Sequence, residues 1–322
     1  MHTAEELSTL AGEYISRLPM LREPYGLYEP ISYALASGGK RMRPLLTLMA
    51  CDAVGGNVVE ALPVAAAVEI FHNFTLLHDD IMDNAVVRRG RPTVCRRFGR
   101  NAAVLSGDAM LILAYRMLRE GPADRADELA GIFDDMALKV CEGQQYDMDF
   151  EASAHVSMQE YMTMIGGKTA ALLAAAVEMG AVAGGASDRE REAMRTFGWQ
   201  LGLAFQIQDD LLDTYGTSDR LGKNVGGDIA EGKKTFLSVY ACEAGDPDTQ
   251  LLLGSLLSDR QTPAPERFRS VKEIYDRLGA PKAAGKEVLQ CLGRASAALD
   301  VLDAGQTGPL NRLAGSLLGR DR

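Results

Sequence analysis

The chain has 322 residues, of which 47% are hydrophobic, and this composition excludes a mostly disordered protein and predicts a sizeable buried core. The 34 basic and 44 acidic residues leave a formal net charge of -10, which argues against a general nucleic-acid-binding surface but not against small basic pockets. The five cysteines are scattered and lack the Cys-x-x-Cys spacing of zinc or redox sites, which favours a reducing, cytoplasmic setting.

The N-terminal region carries Glu5, Glu6 and Glu13, where a secretory signal would have basic residues followed by an apolar stretch. No uninterrupted apolar run approaches the roughly 18 residues that span a bilayer. We therefore expect neither a signal peptide nor a transmembrane segment.

Helix-forming residues dominate the chain, and apolar residues recur at intervals of three and four, as at Leu111, Ala114, Tyr115 and Leu118. No alternating pattern predicts a strand or a hairpin. Glycine, proline and small polar residues interrupt the pattern at short joints, none of which has the length or polarity of a domain linker. We therefore predict one all-α domain over residues 1–322, a single large helical bundle of about ten or more helices.

The first chemical motif is a cationic cluster that follows two glycines, from Gly38 to Pro44. It places Lys40, Arg41 and Arg43 within four residues. A diphosphate that needs close backbone approach and positive charge would suit this cluster. The alternative is a solvated helix start.

Two segments are apolar around most of the helical circumference, which is typical of central helices in a large bundle. They run from about Val64 to Asp83 and from about Trp199 to Asp213, and each ends in the pattern Asp-Asp-x-x-Asp. One such cluster alone also fits an acidic helix end that is solvated or paired with arginine. Two copies with identical spacing in apolar surroundings instead predict facing walls of one cavity.

In a helix, the four-residue step stacks the first and last aspartates of each cluster on one face, Asp79 with Asp83 and Asp209 with Asp213. Like charges at this spacing destabilise a helix, and carboxylates beside apolar residues are costly to bury unless a cation neutralises them. Magnesium takes oxygen ligands and commonly bridges carboxylates to substrate phosphates. The two clusters therefore predict magnesium binding.

Helical spacing adds polar residues to both aspartate faces. His72 and Thr75 continue the stripe of the first cluster, and Gln206 continues that of the second. Glu69 and His72 also form a Glu-x-x-His pair, which occurs twice in di-iron bundles, but this chain has no second pair. No iron site is predicted, and His72 alone also fits a core histidine.

Further cations follow the aspartate clusters. Arg88 and Arg89 come soon after the first cluster, which puts guanidinium groups beside the predicted metal site, where phosphate contacts are strongest. The segment from Gly222 to Thr235 contains Lys223 and Lys233. It fits either a lid that closes over phosphates or an exposed loop.

A Gly-Gly-Lys-Thr sequence lies between the clusters, from Gly166 to Thr169. We expect it to begin an Ala-rich helix whose N-terminus holds an anion with Lys168 and Thr169. It is not a Walker loop, because the upstream glycine and a preceding strand are missing.

In combination these motifs resemble the trans-isoprenyl diphosphate synthases of the polyprenyl synthetase type, over about Ser32 to Val239. The resemblance implies an all-α isoprenoid synthase fold with a central cavity, and a homodimer. It implies that the enzyme joins isopentenyl diphosphate head to tail to an allylic diphosphate through a carbocation. It also implies a magnesium cofactor, with about three ions per site, that stabilises the departing pyrophosphate.

The resemblance assigns roles to individual residues. The residues that bind isopentenyl diphosphate would be Lys40, Arg43, His72 and Arg89. The allylic diphosphate would contact Arg88. The main magnesium ligands would be Asp79, Asp83 and Asp209, with supporting carboxylates from Asp80, Asp210 and Asp213. The groups around the allylic diphosphate and the nascent cation would be Lys168, Thr169, Gln206, Lys223 and Lys233. A further family motif covers Gly143 to Asp147, where Gln144 and Asp147 would support the metal side.

In this family the floor of the cavity limits product length. Phe74 and Thr75 are the fifth and fourth residues before Asp79, and the cluster has no insertion between its paired and final aspartates. A single aromatic residue there resembles short-chain synthases, most closely those that make geranylgeranyl diphosphate. Farnesyl or longer products are the alternative, since core packing also explains Phe74, and Phe71, Leu111 and Tyr115 also fit the floor.

Three other functions fit less well. A terpene cyclase would normally carry Asn-Asp-x-x-Ser-x-x-x-Glu in place of the second cluster and would not need a second diphosphate pocket at Lys40 and Arg43. The same pocket disfavours a head-to-head synthase. A non-catalytic subunit of a heteromeric synthase would be expected to lose site aspartates or lysines, and none is missing.

Overall fold

The computed structural model describes residues 2–216, 226–259 and 261–318. Within these ranges the protein is almost entirely helical, which confirms the predicted all-α class. In chain order, helices α1 to α16 span Ala4–Arg17, Tyr25–Leu35, Met42–Ala53, Val58–Met82, Val94–Phe98, Arg100–Leu118, Ala126–Ala152, Met158–Ile165, Ala171–Ala183, Asp188–Tyr215, Gly227–Glu231, Phe236–Ala244, Pro247–Ser258, Ala264–Leu278, Ala280–Ala298 and Ala304–Leu318. Short 3₁₀ turns occupy Ala123–Arg125 and Leu299–Val301.

The described residues group into two compact units. The first consists of those within Met1–Asp135, Ala174–Arg195 and Leu299–Arg312. The second consists of those within Met136–Leu173, Thr196–Ala298 and Leu313–Arg322. A single domain over residues 1–322 stays a prediction.

Helix α4 is the central helix of the first unit, and α3 and α6 pack against it. It begins at Val58, earlier than the predicted Val64, because Asn57 caps it by accepting a hydrogen bond from the Val59 N–H at 3.1 Å. Pro63 lies inside the helix and does not end it. The helix reaches Met82, and Asp83 is its C-cap, so the first aspartate cluster occupies its last turn.

A hairpin follows α4 directly. Strand β1, Val87–Arg88, pairs antiparallel with β2, Arg91–Pro92. Arg89 and Gly90 at the turn both have positive φ, 52° and 73°, as a type I′ turn requires. The sequence carries no signal for this hairpin, because strands of two residues are too short for an alternating pattern to show.

In the second unit, α12 packs against α8, α13, α14 and α15.

Helix α10 carries the second aspartate cluster and spans Asp188–Tyr215, well beyond the predicted Trp199 to Asp213. Ser187 explains its early start, because its side chain and that of Glu190 form reciprocal hydrogen bonds with each other's backbone N–H.

Helices α8 and α9 are joined by a π-helical turn, Gly166–Ala170. The Gly166 N–H donates to the carbonyls of Met162 and Thr163, and the Ala171 N–H donates to Gly166. The helix therefore continues through the Gly-Gly pair. The predicted helix N-terminus at this position was wrong, because these backbone donors are used within the helix and do not face an anion.

Two helical stretches, Val58–Met82 and Met158–Ala183, are long and apolar enough to cross a bilayer. However, 72% and 83% of their most apolar windows are buried inside the protein. Core packing therefore explains their apolar composition.

Candidate active site

The first aspartate cluster presents two carboxylates at the end of α4. Asp79 is half-buried and Asp83 is exposed, and the Asp83 N–H donates to the Asp79 carbonyl at 2.8 Å. A helix C-terminus carries partial negative charge, which makes this an unfavourable place for carboxylates alone and a favourable one for a cation. The pair therefore fits the predicted magnesium ligands.

Asp80 has a different environment from its neighbours. Its side chain is buried, and its Oδ1 accepts a hydrogen bond from Arg88 Nε at 2.7 Å. The β1–β2 hairpin places Arg88 for this contact. The expectation that an arginine lies beside the first cluster is therefore met, with the guanidinium bound to the middle aspartate.

The predicted isopentenyl diphosphate residues Arg43 and His72 contact each other. Arg43 Nη1 lies 3.0 Å from His72 Nε2. Burial, reinforced by the positive charges of Arg43 and Arg89, holds the pKa of His72 well below its usual value. The imidazole is therefore neutral and accepts at Nε2, while burial lowers the pKa of Arg43 to about 10.

The same helix turn contains a buried carboxyl. Glu69 is 5% exposed, and its Oε1 accepts a hydrogen bond from Asn73 Nδ2 at 3.0 Å. Burial raises its pKa, and the charge of Arg43 opposes that rise. Glu69 therefore gives the Arg43 and His72 pair a nearby acidic neighbour that the sequence analysis considered only for iron.

Gly39, just before the cationic cluster, makes room for Arg89. Its guanidinium donates to the Gly38 carbonyl, and a methyl group on Gly39 would lie 2.7 Å from Arg89 Nη1. Gly39 also has a φ of 123°, which L side chains rarely adopt. Lys40 is exposed, whereas Arg41 donates to a backbone carbonyl of α1 at 3.2 Å. The chain thus brings Arg89 to the Gly-Gly-Lys segment, as expected.

In the second unit, Asp209 is exposed and Asp213 is half-buried. Asp213 Oδ2 accepts a hydrogen bond from the Asp228 N–H at 3.1 Å. Burial, with the charges of Asp213 and Asp210 nearby, raises the pKa of the Asp228 carboxyl to about 8. Such crowding of carboxylates is relieved by a bound cation.

Asp228 is a candidate site residue that the sequence analysis missed. It belongs to no spaced aspartate motif. The available signal was its position directly after Gly226 and Gly227, in the lysine-containing segment that follows the second cluster.

Asp210 is buried, with 4% of its surface exposed. It accepts hydrogen bonds from the Tyr161 hydroxyl at 2.6 Å, the Phe236 N–H at 2.8 Å and Gln206 Nε2 at 2.9 Å. Burial raises its pKa to about 6, although these hydrogen bonds oppose the rise. Its carboxylate is thus held by protein donors from three helices.

Two predicted residues on the π-helical turn have protein partners. Thr169 Oγ1 donates to Gln206 Oε1 at 2.8 Å, and Lys168 Nζ lies 2.6 Å from Asp147 Oδ2. Gln206, which the spacing places three residues before Asp209, donates from Nε2 to Asp210 Oδ1 at 2.9 Å. Asp147 pairs with Lys168, and its predicted support of the metal side stays a prediction.

Of the two predicted lysines after the second cluster, only Lys233 lies in the described part of the chain. Its Nζ is 2.9 Å from Glu231 Oε2, and its N–H donates to the Asp228 carbonyl. Lys223 lies outside the described residues.

Among the described residues, no three carboxylate, imidazole or thiol groups form a ready-made metal site. Magnesium keeps several waters and uses one or two carboxylates together with substrate phosphates. The paired aspartates at the two clusters fit that coordination, because diphosphate and water would supply the remaining ligands.

The sequence matches the polyprenyl synthetase family over residues 24–277. This chain belongs to the polyprenyl synthetase family. It is therefore a prenyltransferase, as predicted, and family members in general use Mg²⁺ to bind diphosphate.

Individual polyprenyl synthetase relatives cover nearly the whole chain. A short chain isoprenyl diphosphate synthase of Methanothermobacter thermautotrophicus is 40% identical, over 94% of this chain and 93% of its own length. A geranylfarnesyl diphosphate synthase of Natronomonas pharaonis is 34% identical, over 92% and 90%. The crystal structure of a geranylgeranyl pyrophosphate synthase superposes with a TM-score of 0.95 at 40% identity and covers both chains completely. The predicted isoprenoid synthase fold is thereby confirmed.

The residues that the polyprenyl synthetase resemblance assigned to product length lie in an aromatic cluster of the first unit. The Phe74 ring lies 5.4 Å from that of Phe71 and 4.8 Å from that of His78. Phe71 in turn packs 5.2 Å from Phe133. Phe74 is half-buried, whereas Phe71 and Phe133 are fully buried, so Phe74 is the accessible member of these three phenylalanines.

Thr75 has a local partner as well. Its Oγ1 donates to the His72 carbonyl at 2.8 Å, which fixes the hydroxyl to the backbone of α4. The roles of Phe74 and Thr75 in product length stay predictions.

Proposed function

We propose that this chain condenses isopentenyl diphosphate head to tail with an allylic diphosphate and releases pyrophosphate, with geranylgeranyl diphosphate as its main product. The observation that carries the proposal is that the chain has two different kinds of diphosphate-binding group. Carboxylate pairs suited to magnesium end α4 and α10, while Arg43, His72 and Arg89 form a cationic group without aspartates. A prenyltransferase with two diphosphate substrates needs both.

The proposal assigns magnesium to Asp79, Asp83 and Asp209, with Asp213 in support and about three ions per site. Bound magnesium would neutralise the allylic diphosphate and stabilise pyrophosphate as it leaves.

The remaining cations hold the substrates. Lys40, Arg43 and Arg89 bind isopentenyl diphosphate, with neutral His72 beside them. Arg88 and a second group of lysines bind the allylic diphosphate and its departing pyrophosphate. That group consists of Lys168, Lys223 and Lys233.

The chemical step needs little from the protein beyond position and charge. The allylic C–O bond breaks with both electrons on pyrophosphate, and the isopentenyl double bond attacks the resulting cation. The hydroxyl oxygen of Thr169 and the amide oxygen of Gln206 stabilise that cation as neutral dipoles. The released pyrophosphate takes the proton that restores a double bond, so no aspartate acts as acid or base.

For product length, the proposal relies on Phe74, a half-buried aromatic residue on the helix that carries the first cluster. The functions of similar proteins support a short-chain product, since these proteins include a geranylgeranyl pyrophosphate synthase and a geranylfarnesyl diphosphate synthase. Farnesyl diphosphate or a longer polyprenyl diphosphate is the alternative product. A terpene cyclase and a non-catalytic subunit are disfavoured by the cationic group and by the intact aspartates.

We also propose a cytoplasmic homodimer. The support for the dimer is an apolar face on α6, where Leu105 and Ile112 lie seven residues apart and are 59% and 63% exposed. A second copy of the chain would cover such a face.

The test uses purified protein with magnesium, isopentenyl diphosphate and dimethylallyl, geranyl or farnesyl diphosphate as starter. Chromatographic sizing of the dephosphorylated products should give the geranylgeranyl chain as the main product from each starter. A folded protein that forms no longer prenyl chain from any starter would overturn the proposed activity. A main product of another length would overturn only the product assignment.

A further inference from the structure

The middle aspartates of the two clusters are buried, unlike the first aspartates. Asp80 and Asp210 are each 4% exposed, whereas Asp79 is half-buried and Asp209 is exposed. Successive helix residues point about 100° apart, so adjacent aspartates cannot share one face. Asp210 therefore faces the protein interior while Asp209 faces outward.

The partners of Asp210 come from separate segments of the chain. Oδ2 accepts from the Tyr161 hydroxyl on α8 and from the N–H of Phe236, the first residue of α12. Oδ1 accepts from Gln206 Nε2, one turn earlier on α10. A charged acceptor strengthens each of these hydrogen bonds, and burial strengthens them further.

The network continues to residues that the proposed function places at the allylic substrate. Gln206 holds the Thr169 hydroxyl at 2.8 Å, which fixes one residue of the π-helical turn. Phe236 is three residues after Lys233, so its N–H bond fixes the chain just beyond that lysine. Asp210 is thus the shared acceptor between the segments that carry Thr169 and Lys233.

We infer that Asp210 is a positioning residue and not a magnesium ligand, and that the Tyr161 hydroxyl holds its carboxylate. This inference rests on the proposed function for the substrate roles of Thr169 and Lys233. It replaces the assignment of Asp210 as a supporting metal carboxylate. Tyr161 is 1% exposed, so its hydroxyl reaches no substrate directly and acts only through Asp210.

The variants separate anchoring from metal binding. Asp210→Asn keeps an oxygen that accepts from both Tyr161 and Phe236, loses the acceptor for Gln206 Nε2, and removes the negative charge of the carboxylate. Tyr161→Phe removes only the hydroxyl and keeps every carboxylate. Asp209→Asn serves as the metal-ligand comparison. Tyr240→Phe is the matched control, because its ring stacks on Phe236 without contacting Asp210.

The first readout is steady-state kinetics at varied magnesium. We expect Tyr161→Phe to lower kcat about tenfold, and Asp210→Ala to lower it about a hundredfold or more. Asp210→Asn should restore kcat to within about tenfold of wild type. In both Tyr161→Phe and Asp210→Asn the half-saturating magnesium concentration should stay within about twofold, whereas Asp209→Asn should raise it about tenfold.

The second readout, amide hydrogen exchange over residues 233–240, needs no substrate and no turnover. Tyr161→Phe and Asp210→Ala should speed exchange at Phe236, whereas Asp210→Asn and Tyr240→Phe should leave it near wild type. If wild-type protein forms no product, the proposed function fails, and the exchange data still decide whether Asp210 is the anchor. A tenfold higher magnesium requirement in Asp210→Asn, or unchanged exchange in Tyr161→Phe, would overturn the inference.

Discussion

Arg43 Nη1 lies 3.0 Å from His72 Nε2, so this ring nitrogen accepts a hydrogen bond and carries no proton. Burial and the nearby positive charges of Arg43, Arg89 and Arg88 all lower the pKa of the imidazole. Neutral His72 is therefore a condition for the folded arrangement of the cationic group.

This arrangement predicts an acid sensitivity that belongs to His72. In the unfolded chain the imidazole takes up a proton near pH 6.5, while the folded ring stays neutral, so the unfolded state binds more protons below about pH 6.5. Stability should then fall as pH falls, by up to about 1.4 kcal/mol per pH unit from this one group. Urea unfolding of wild type and His72→Gln at pH 7 and pH 5.5 measures the difference.

The control for that comparison is His155→Gln, since His155 is exposed. We expect the loss of stability between pH 7 and pH 5.5 to be smaller in His72→Gln than in wild type. In the control His155→Gln, the loss should equal that of wild type. Equal losses in wild type and His72→Gln would show that His72 is not the acid-sensitive group.

The ion pair between Lys168 and Asp147 predicts a selective effect on the allylic substrate. Asp147→Asn removes the charge that holds Lys168 Nζ at 2.6 Å, so the proposed contact of this lysine with the allylic diphosphate loses its position. We expect kcat/KM for the allylic diphosphate to fall about tenfold or more, with KM for isopentenyl diphosphate little changed. Asp149→Asn on the same helix is the matched control. An equal effect on both substrates would contradict this role.

Gly143 on α7 should be needed for close packing of the π-helical turn. A methyl group there would lie 2.1 Å from the backbone nitrogen of Lys168, so Gly143→Ala should cost about 1–3 kcal/mol and reduce activity. At Gly131 on the same helix a methyl group has open space, so Gly131→Ala should be neutral or stabilise by about 1 kcal/mol. Denaturant unfolding of both variants checks this, and similar stabilities would rule out the steric argument.

Phe74 should limit product length. Phe74→Ala opens space beside Phe71 and His78, so we expect the main product to lengthen by at least one isoprene unit. Chromatographic sizing of products from a fixed starter measures the change, and a thermal melt checks that the variant is folded. Unchanged product length in a folded variant would show that Phe74 is not the floor.

Much of the fold and part of the site followed from residue spacing. Apolar periodicity predicted the all-α class because helix packing buries residues at three- and four-residue intervals. The repeated Asp-Asp-x-x-Asp pattern predicted that the first and last aspartates of each cluster share a helix face, because the local rotation of the helix sets their direction. These features depend on neighbours in the sequence.

The features that the sequence did not predict depend on distant contacts. The Gly-Gly pair at Gly166 is a break by local rules, yet the helix continues there as a π-helical turn that packs closely against Gly143 of α7. Asp210 has the same local pattern as Asp80, but its partners Tyr161 and Phe236 are 49 and 26 residues away. Local spacing carries no information about such pairs.

The most direct test of the central claim is pyrophosphate release measured with and without isopentenyl diphosphate, with magnesium and an allylic diphosphate always present. A head-to-tail prenyltransferase should release one pyrophosphate for each isopentenyl unit consumed and essentially none when that substrate is omitted. Equal release from the allylic diphosphate alone would indicate ionisation without condensation, as in a terpene cyclase, and would contradict the account.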